Sequence, residues 1–124
     1  MHILLTDREA DIMQILWERG ELVVEEVRAC LADKLAYTTV QTILRTLESK
    51  GYVGHREEGR VHRYYAAVEQ LAARKSALQH LAVKLFKGSS ELLFTHLVSD
   101  RKLSAAELAR MRRLLNSRAK PEKG

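Results

Sequence analysis

Proline and cysteine are almost absent from this chain: Pro121 and Cys30 stand alone, beside six glycines. A single thiol closes no internal disulfide and completes no thiolate metal site, which excludes a disulfide-stapled fold. Few turn-forming residues favour a mostly helical chain. No apolar run approaches the ~18 residues of a membrane span, so no membrane insertion is expected. The start, MHILLTDREAD, turns acidic too early for a signal peptide, which makes the cytoplasm the expected compartment. There is also no glycine-rich phosphate loop, no nucleophile with a placed base and no isolated carboxylate pair. An enzyme is not expected, and no cofactor is implied. The five histidines, His2, His55, His62, His80 and His96, share no HxxxH spacing. His55 and His62 can face each other across the hairpin as a weak surface metal site, but solvated strand residues are the simpler reading and no metal is assigned.

What the chain has is helix pattern and unevenly placed charge. Its 124 residues suit one domain, or a small domain with an appendage. Residues 1–33 hold three basic and eight acidic groups, residues 34–66 six and three, and residues 67–124 twelve and five. The overall +5 invites a polyanion such as nucleic acid. The most basic stretch is not the one with the best base-reading pattern.

Thr6-Asp7-Arg8-Glu9 is a capping box that opens a first helix. Its stripe is Ala10, Met13 and Trp17, widened by Ile12 and Leu16, and Gly20 ends it. A second helix is expected from about Glu25 to Lys34, burying Val27, Cys30 and Leu31. Thr38-Thr39-Val40-Gln41 reads as a second capping box and Lys50-Gly51 as a stop, which bound a third helix. Two β-prone runs, YVGHREE and RVHRYYA, then flank Gly59 as a hairpin. Tyr64 and Tyr65 point to opposite faces of the second strand, and one of them should pack on the helices. Three helices and a hairpin make the winged helix-turn-helix order, and helical pattern resumes beyond it. Leu71, Leu78 and Leu85 recur every seven residues, flanked by Leu81. A short helix holds Leu92, Leu93 and Leu97, and a capping box at Ser104–Glu107 opens a last helix with Leu108, Met111 and Leu115. Beyond Ser117 a charged tail is expected to fray.

The third helix carries the functional signal. At ~100° per residue, Val40, Ile43, Leu44 and Leu47 share one side, while Thr42, Arg45 and Ser49 occupy the other, flanked by Gln41 and Thr46. Thr38 and Thr39 lie at its start, where recognition helices meet base edges. Arginine forks onto guanine, glutamine onto adenine, and a threonine methyl meets that of thymine. The plainer reading is a solvated face with Thr38 and Gln41 engaged in the cap. The hairpin that follows favours DNA, because its tip and second strand gather Arg56, Arg60, His62 and Arg63, with Glu57 and Glu58 opposing them. The candidate DNA-binding set is therefore Thr38, Thr39, Gln41, Thr42, Arg45, Arg56, Arg60, His62 and Arg63.

Residues 68–124 carry too many leucines for a solvated appendage and too few residues for a core of their own. A second copy of the chain resolves this through Leu71, Leu78, Leu81, Leu85, Leu93, Leu97, Leu108, Met111 and Leu115. The simpler alternative folds these helices back on the first three. The expected division is a winged-helix domain over 1–67 and a three-helix dimerisation domain over 68–124.

EADIMQILW, VVEEVRACL, YTTVQTILRTLESKGYV, GRVHRYY and LFKGSSELLFTHLVSDRKLSAAELARMRRLL, in this order, resemble the penicillinase and methicillin-resistance repressors of the BlaI/MecI type. The resemblance implies a homodimer that sits on an inverted-repeat double-stranded DNA operator and represses β-lactamase or other cell-wall antibiotic-response genes. It implies contacts through Thr38, Thr39, Gln41, Thr42 and Arg45, although the family often has arginine where Thr46 stands here. It also implies release through a membrane metalloprotease sensor, with the cleavage position falling on His96 and Leu97. The family's scissile pair is typically Asn-Phe, so either an altered sensor cuts here or release occurs without cutting. The paired CxC motifs of a copper-responsive sister group are missing. A reading from another class is a winged-helix protein–protein adaptor that dimerises through its C-terminal helices.

Overall fold

In a computed structural model of the chain, which describes residues 2–119, Thr6 and Glu9 exchange both hydrogen bonds of a capping box. They open α1 (Asp7–Arg19), and Gly20 closes it in a positive-φ conformation that suits a residue without a side chain. The chain continues through β1 (Leu22–Val23), α2 (Val24–Cys30), α3 (Tyr37–Ser49), β2 (Val53–Glu58) and β3 (Val61–Ala66). Three further helices follow, α4 (Gln70–Leu85), α5 (Ser90–Asp100) and α6 (Ala105–Arg118). The fold is thus mainly α, a winged helix-turn-helix succeeded by three helices. Among the described residues no helix is long and apolar enough to cross a membrane.

The hairpin is antiparallel, with His55 opposite Tyr64, Arg56 opposite Arg63 and Glu57 opposite His62. The two-residue strand β1 adds to its other edge, giving the order β1-β3-β2. Side chains alternate across the pleat, so His55, Glu57, His62 and Tyr64 share one face. Arg56, Glu58, Arg63 and Tyr65 share the other.

One compact unit runs to His80 and a second begins at Leu81. The core of the first joins Ile12, Met13 and Leu16 of α1, Val24 and Val27 of α2, and Val40, Leu44 and Leu47 of α3. Tyr52, Val53 and Tyr64 close it on the sheet side. Tyr64 is therefore the inward tyrosine. Trp17 packs at the margin, its indole N–H donating to the Val68 carbonyl at 2.9 Å. The first half of α4 belongs to this unit and buries Ala73 and Ser76, with the Ile3 N–H donating to the Ser76 hydroxyl at 3.2 Å.

Three expectations need correction. The second helix stops at Cys30 rather than Lys34, and Cys30 is exposed. Leu31, already in extended backbone, takes the inward place at the core margin that Cys30 was expected to share. The third helix has no capping box at Thr38: its N-cap is Ala36, which offers no side-chain bond, and Thr38 lies inside the first turn. Arg118, expected in a frayed tail, still belongs to α6, and residues 120–124 of that expected tail lie outside the described residues.

In the second unit, Ser89 caps α5, and Ser104 with Glu107 forms the expected capping box of α6. Neither helix contains a buried residue. Leu71, Leu78, Leu81, Leu85, Leu97, Leu108 and Leu115 are all exposed, Leu85 to 73%, while Leu93 and Met111 are half-buried. α4 turns its small residues inward and its heptad leucines outward.

Candidate nucleic-acid interface

α3 divides cleanly into two sides. Val40, Leu44 and Leu47 are wholly buried, whereas Thr38, Thr39, Thr42, Arg45, Thr46 and Ser49 are exposed and Gln41 is half-exposed. Because Ala36 caps the helix, Thr38 and Gln41 are not engaged in a capping box. The Thr42 hydroxyl donates to the Thr38 carbonyl one turn back, at 2.8 Å. Thr42 thus offers outward a methyl group and an acceptor rather than a donor. Arg45 lies near Tyr64: burial raises the Tyr64 phenol above its ordinary 10.0, the Glu48 carboxylate adds to this, and the Arg45 guanidinium opposes it. The net shift is upward, so Tyr64 stays a neutral phenol beneath α3.

The wing cations are less available than the sequence suggests. Arg56 reaches Glu21 at 3.1 Å and lies 5.7 Å from the Tyr65 ring centroid. Arg63 is held more firmly. Its Nε donates to Glu58 at 2.6 Å, and its terminal nitrogen donates to the Glu21 carbonyl at 3.2 Å and to Glu26 at 3.4 Å. The hydrogen bond and charge of Arg63 pull the Glu58 carboxyl below its ordinary 4.5. Glu58 in turn raises the guanidinium further. His62 lies 4.0 Å from Glu57. Among the described residues, Arg60 at the hairpin tip has no ion-pair or hydrogen-bond partner and is exposed.

The structure therefore brings Thr38, Thr39, Thr42 and Arg45 into one exposed row, with Gln41 at its edge. Arg56 and Arg63 lie on the hairpin face opposite His62. Sequence pattern passes over Glu21 and Glu26, which are far along the chain from the arginines they engage. It also passes over Tyr37, exposed in the first turn beside Thr38. The signal for Tyr37 is position alone, an aromatic residue one place before the polar row.

A three-helix core, a hairpin wing and an exposed polar row on the third helix define a winged helix-turn-helix protein of the kind that regulates transcription. The penicillinase repressor family model matches residues 5–117, and the chain belongs to that family. It is 34% identical over 109 residues to the transcriptional regulator BlaI of Mycobacterium tuberculosis (strain CDC 1551 / Oshkosh), covering 72% of this chain and 79% of that one. It is 22% identical over 118 residues to the methicillin resistance regulatory protein MecI of Staphylococcus aureus (strain N315), covering 92% and 94%. Among solved structures, the DNA-binding domain of the repressor BlaI matches with a TM-score of 0.51 at 28% identity, covering 56% of this chain and 88% of that domain.

Proposed function

We propose that this chain is a cytoplasmic, sequence-specific transcriptional repressor that occupies an inverted-repeat operator as a homodimer. Its targets are β-lactamase or other cell-wall antibiotic-response genes. The observation that carries the reading is the outer row of α3, a set of exposed side chains suited to base edges on a helix whose other side buries Val40, Leu44 and Leu47. Residues 1–67 read DNA in this account and residues 68–124 dimerise. The exposed leucines of α4 and α6, with Leu93, Leu97 and Met111, supply the apolar surface for a second copy. Because Arg56 and Arg63 are already paired, base contacts rest on α3, and Arg60 is the wing's chief backbone contact.

The test is fluorescence anisotropy of the full chain with duplex DNA from upstream of its own gene, across a salt titration. The expected result is tight binding to a palindrome with half-sites about one helical turn apart, and a log affinity that falls linearly with log salt. Equal affinity for this DNA and for a scrambled duplex would overturn sequence-specific repression and favour an adaptor whose third helix faces a protein.

Repression ends, in this reading, by cutting at or near His96-Leu97, through a membrane metalloprotease sensor of altered specificity. Both residues lie within α5, where the His96 ring nitrogen lies 3.2 Å from Asp100 and its ring centroid 5.6 Å from that of Phe86. A protease needs extended chain, so cutting requires α5 to open locally. The mass of the protein in its native host, followed during cell-wall antibiotic challenge, decides this. A fragment ending at His96 is expected. Induction of the target genes with the chain intact overturns it.

A further inference from the structure

Sequence alone favours solvated strand residues over a weak metal site at His55 and His62, and the register reverses that. His55 stands opposite Tyr64 and His62 opposite Glu57, so the two histidines are diagonal neighbours on one face of the hairpin. Their rings stack, with centroids 4.1 Å apart and planes 7° from parallel. Glu57 lies on the same face, and one donor atom from each of His55, Glu57 and His62 falls within 4.8 Å of the others. Behind them, Glu48 of α3 bonds His55 Nδ1 at 2.6 Å. We propose that these three side chains form a zinc-type divalent-cation site on the wing, with Glu48 as the carboxylate that orients His55.

The chemistry of the donor set suits a zinc-type cation. Two neutral imidazoles and one carboxylate form the three-ligand set that zinc completes with water in a tetrahedral site. A carboxylate on the far ring nitrogen is the usual companion of a metal-bound histidine, because it fixes the tautomer and raises the basicity of the other nitrogen. Here Glu48 holds Nδ1, which leaves Nε2 as the nitrogen free to face a metal. Ligands about 2.0–2.2 Å from a tetrahedral zinc stand roughly 3.4 Å apart, so the cluster must close from its 4.8 Å span. The side chains that must move are free to do so, since Glu57 is 76% and His62 42% exposed. Metal bound here joins β2 to β3 and, through Glu48, joins the hairpin to the last turns of α3.

The experiment uses the untagged full chain, with cobalt(II) as the spectroscopic probe and zinc(II) as competitor. One equivalent of cobalt should produce the intense visible bands of a four-coordinate centre, and one equivalent of zinc should remove them. His62→Gln, at a half-exposed position outside the core, and Glu57→Gln should each abolish the bands while leaving the far-ultraviolet dichroism unchanged. Glu48→Gln should keep the bands but weaken metal affinity about 10–100-fold. On the wild type, zinc should shift the imidazole proton signals of His55 and His62 alone among the five histidines. A wild-type spectrum that stays that of hexaaqua cobalt, or bands that survive in His62→Gln, would overturn the site. None of these readouts uses DNA, so the metal site and the operator reading fail separately.

Discussion

Replacing Lys50 by alanine tests how α1 and α3 are fastened together. Glu9, in the first turn of α1, is 3% exposed, and both its carboxylate oxygens accept from Lys50 Nζ, at 2.9 and 2.7 Å. The Thr6 N–H donates to the same carboxylate at 2.8 Å. Removing one partner of a fully buried pair costs about 3–5 kcal/mol, whereas a surface pair contributes roughly 0–1 kcal/mol. The Lys50 side chain is 37% exposed, so water replaces part of what the ammonium supplies. The expected loss is therefore about 2 kcal/mol at neutral pH, or roughly 8–16 °C in Tm for a unit of this size.

The pH dependence supplies the sharper half of the test. Burial is the largest influence on Glu9 and raises its pKa, but the Lys50 hydrogen bonds and charge, with Thr6, outweigh it and leave the value below 4.5. A depressed folded-state pKa means that the stabilisation is complete above the unfolded value and is lost as pH falls through the folded one. In Lys50→Ala, burial is opposed by Thr6 alone, so the acid-side loss flattens. Urea denaturation followed by circular dichroism, from about pH 7 down to about pH 3, measures both quantities. An unchanged midpoint at pH 7, or a variant that loses stability as steeply as the wild type on acidification, would refute the reasoning.

Arg45→Ala should cost about 1–3 kcal/mol of operator affinity and relax base preference at one position of each half-site. Arg60→Ala should instead weaken all DNA alike and reduce the salt slope by about 1; anisotropy on matched and mismatched duplexes distinguishes the two, and identical behaviour refutes the division of labour. Charging an exposed leucine of the C-terminal helices, as in Leu78→Lys or Leu115→Glu, should give monomers that release the operator, because a buried unpaired charge costs several kcal/mol. Sedimentation showing intact dimers for both would move the interface elsewhere. Gly54→Ala would place a methyl 2.5 Å from the Tyr65 hydroxyl oxygen and 2.6 Å from Cζ. Its cost of about 1–2 kcal/mol should largely vanish in a Tyr65→Ala background, and an additive double-mutant cycle would refute the clash.

Local signals in the chain proved reliable wherever a short-range pattern decides the outcome. The Thr6–Glu9 and Ser104–Glu107 boxes, the apolar stripe of α3 and the turn at Gly59 each lie within a few residues, and each formed as read. Ala36 serves as an N-cap without a side chain that could announce it, which is why the threonines after it drew the boundary forward. β1 is two residues long and too short to show alternation. The pairing of Lys50 with Glu9, and of Arg63 with Glu26, joins residues far apart in the chain that no period connects. The candidate site was legible in its α3 row for the same reason that the core was, since one helical period generates both. The availability of the wing cations was legible only through the neighbouring Glu58, because their other partners, Glu21 just before β1 and Glu26 of α2, are distant in the chain.

The two sides of α3 share no side chain, and this bears on how such a protein changes over generations. Val40, Leu44 and Leu47 hold the scaffold, while Thr38, Thr39, Thr42 and Thr46 lie outside the core and only Arg45 of the outer row reaches back to it, at Tyr64. Substitutions at exposed positions of this kind fall within about 0.5 kcal/mol, and threonine is a weak helix former that many residues would equal or better. A duplicated copy can therefore drift in what its third helix meets, one residue at a time, without passing through an unstable intermediate. Heritable novelty is cheap on one side of this helix and closed on the other.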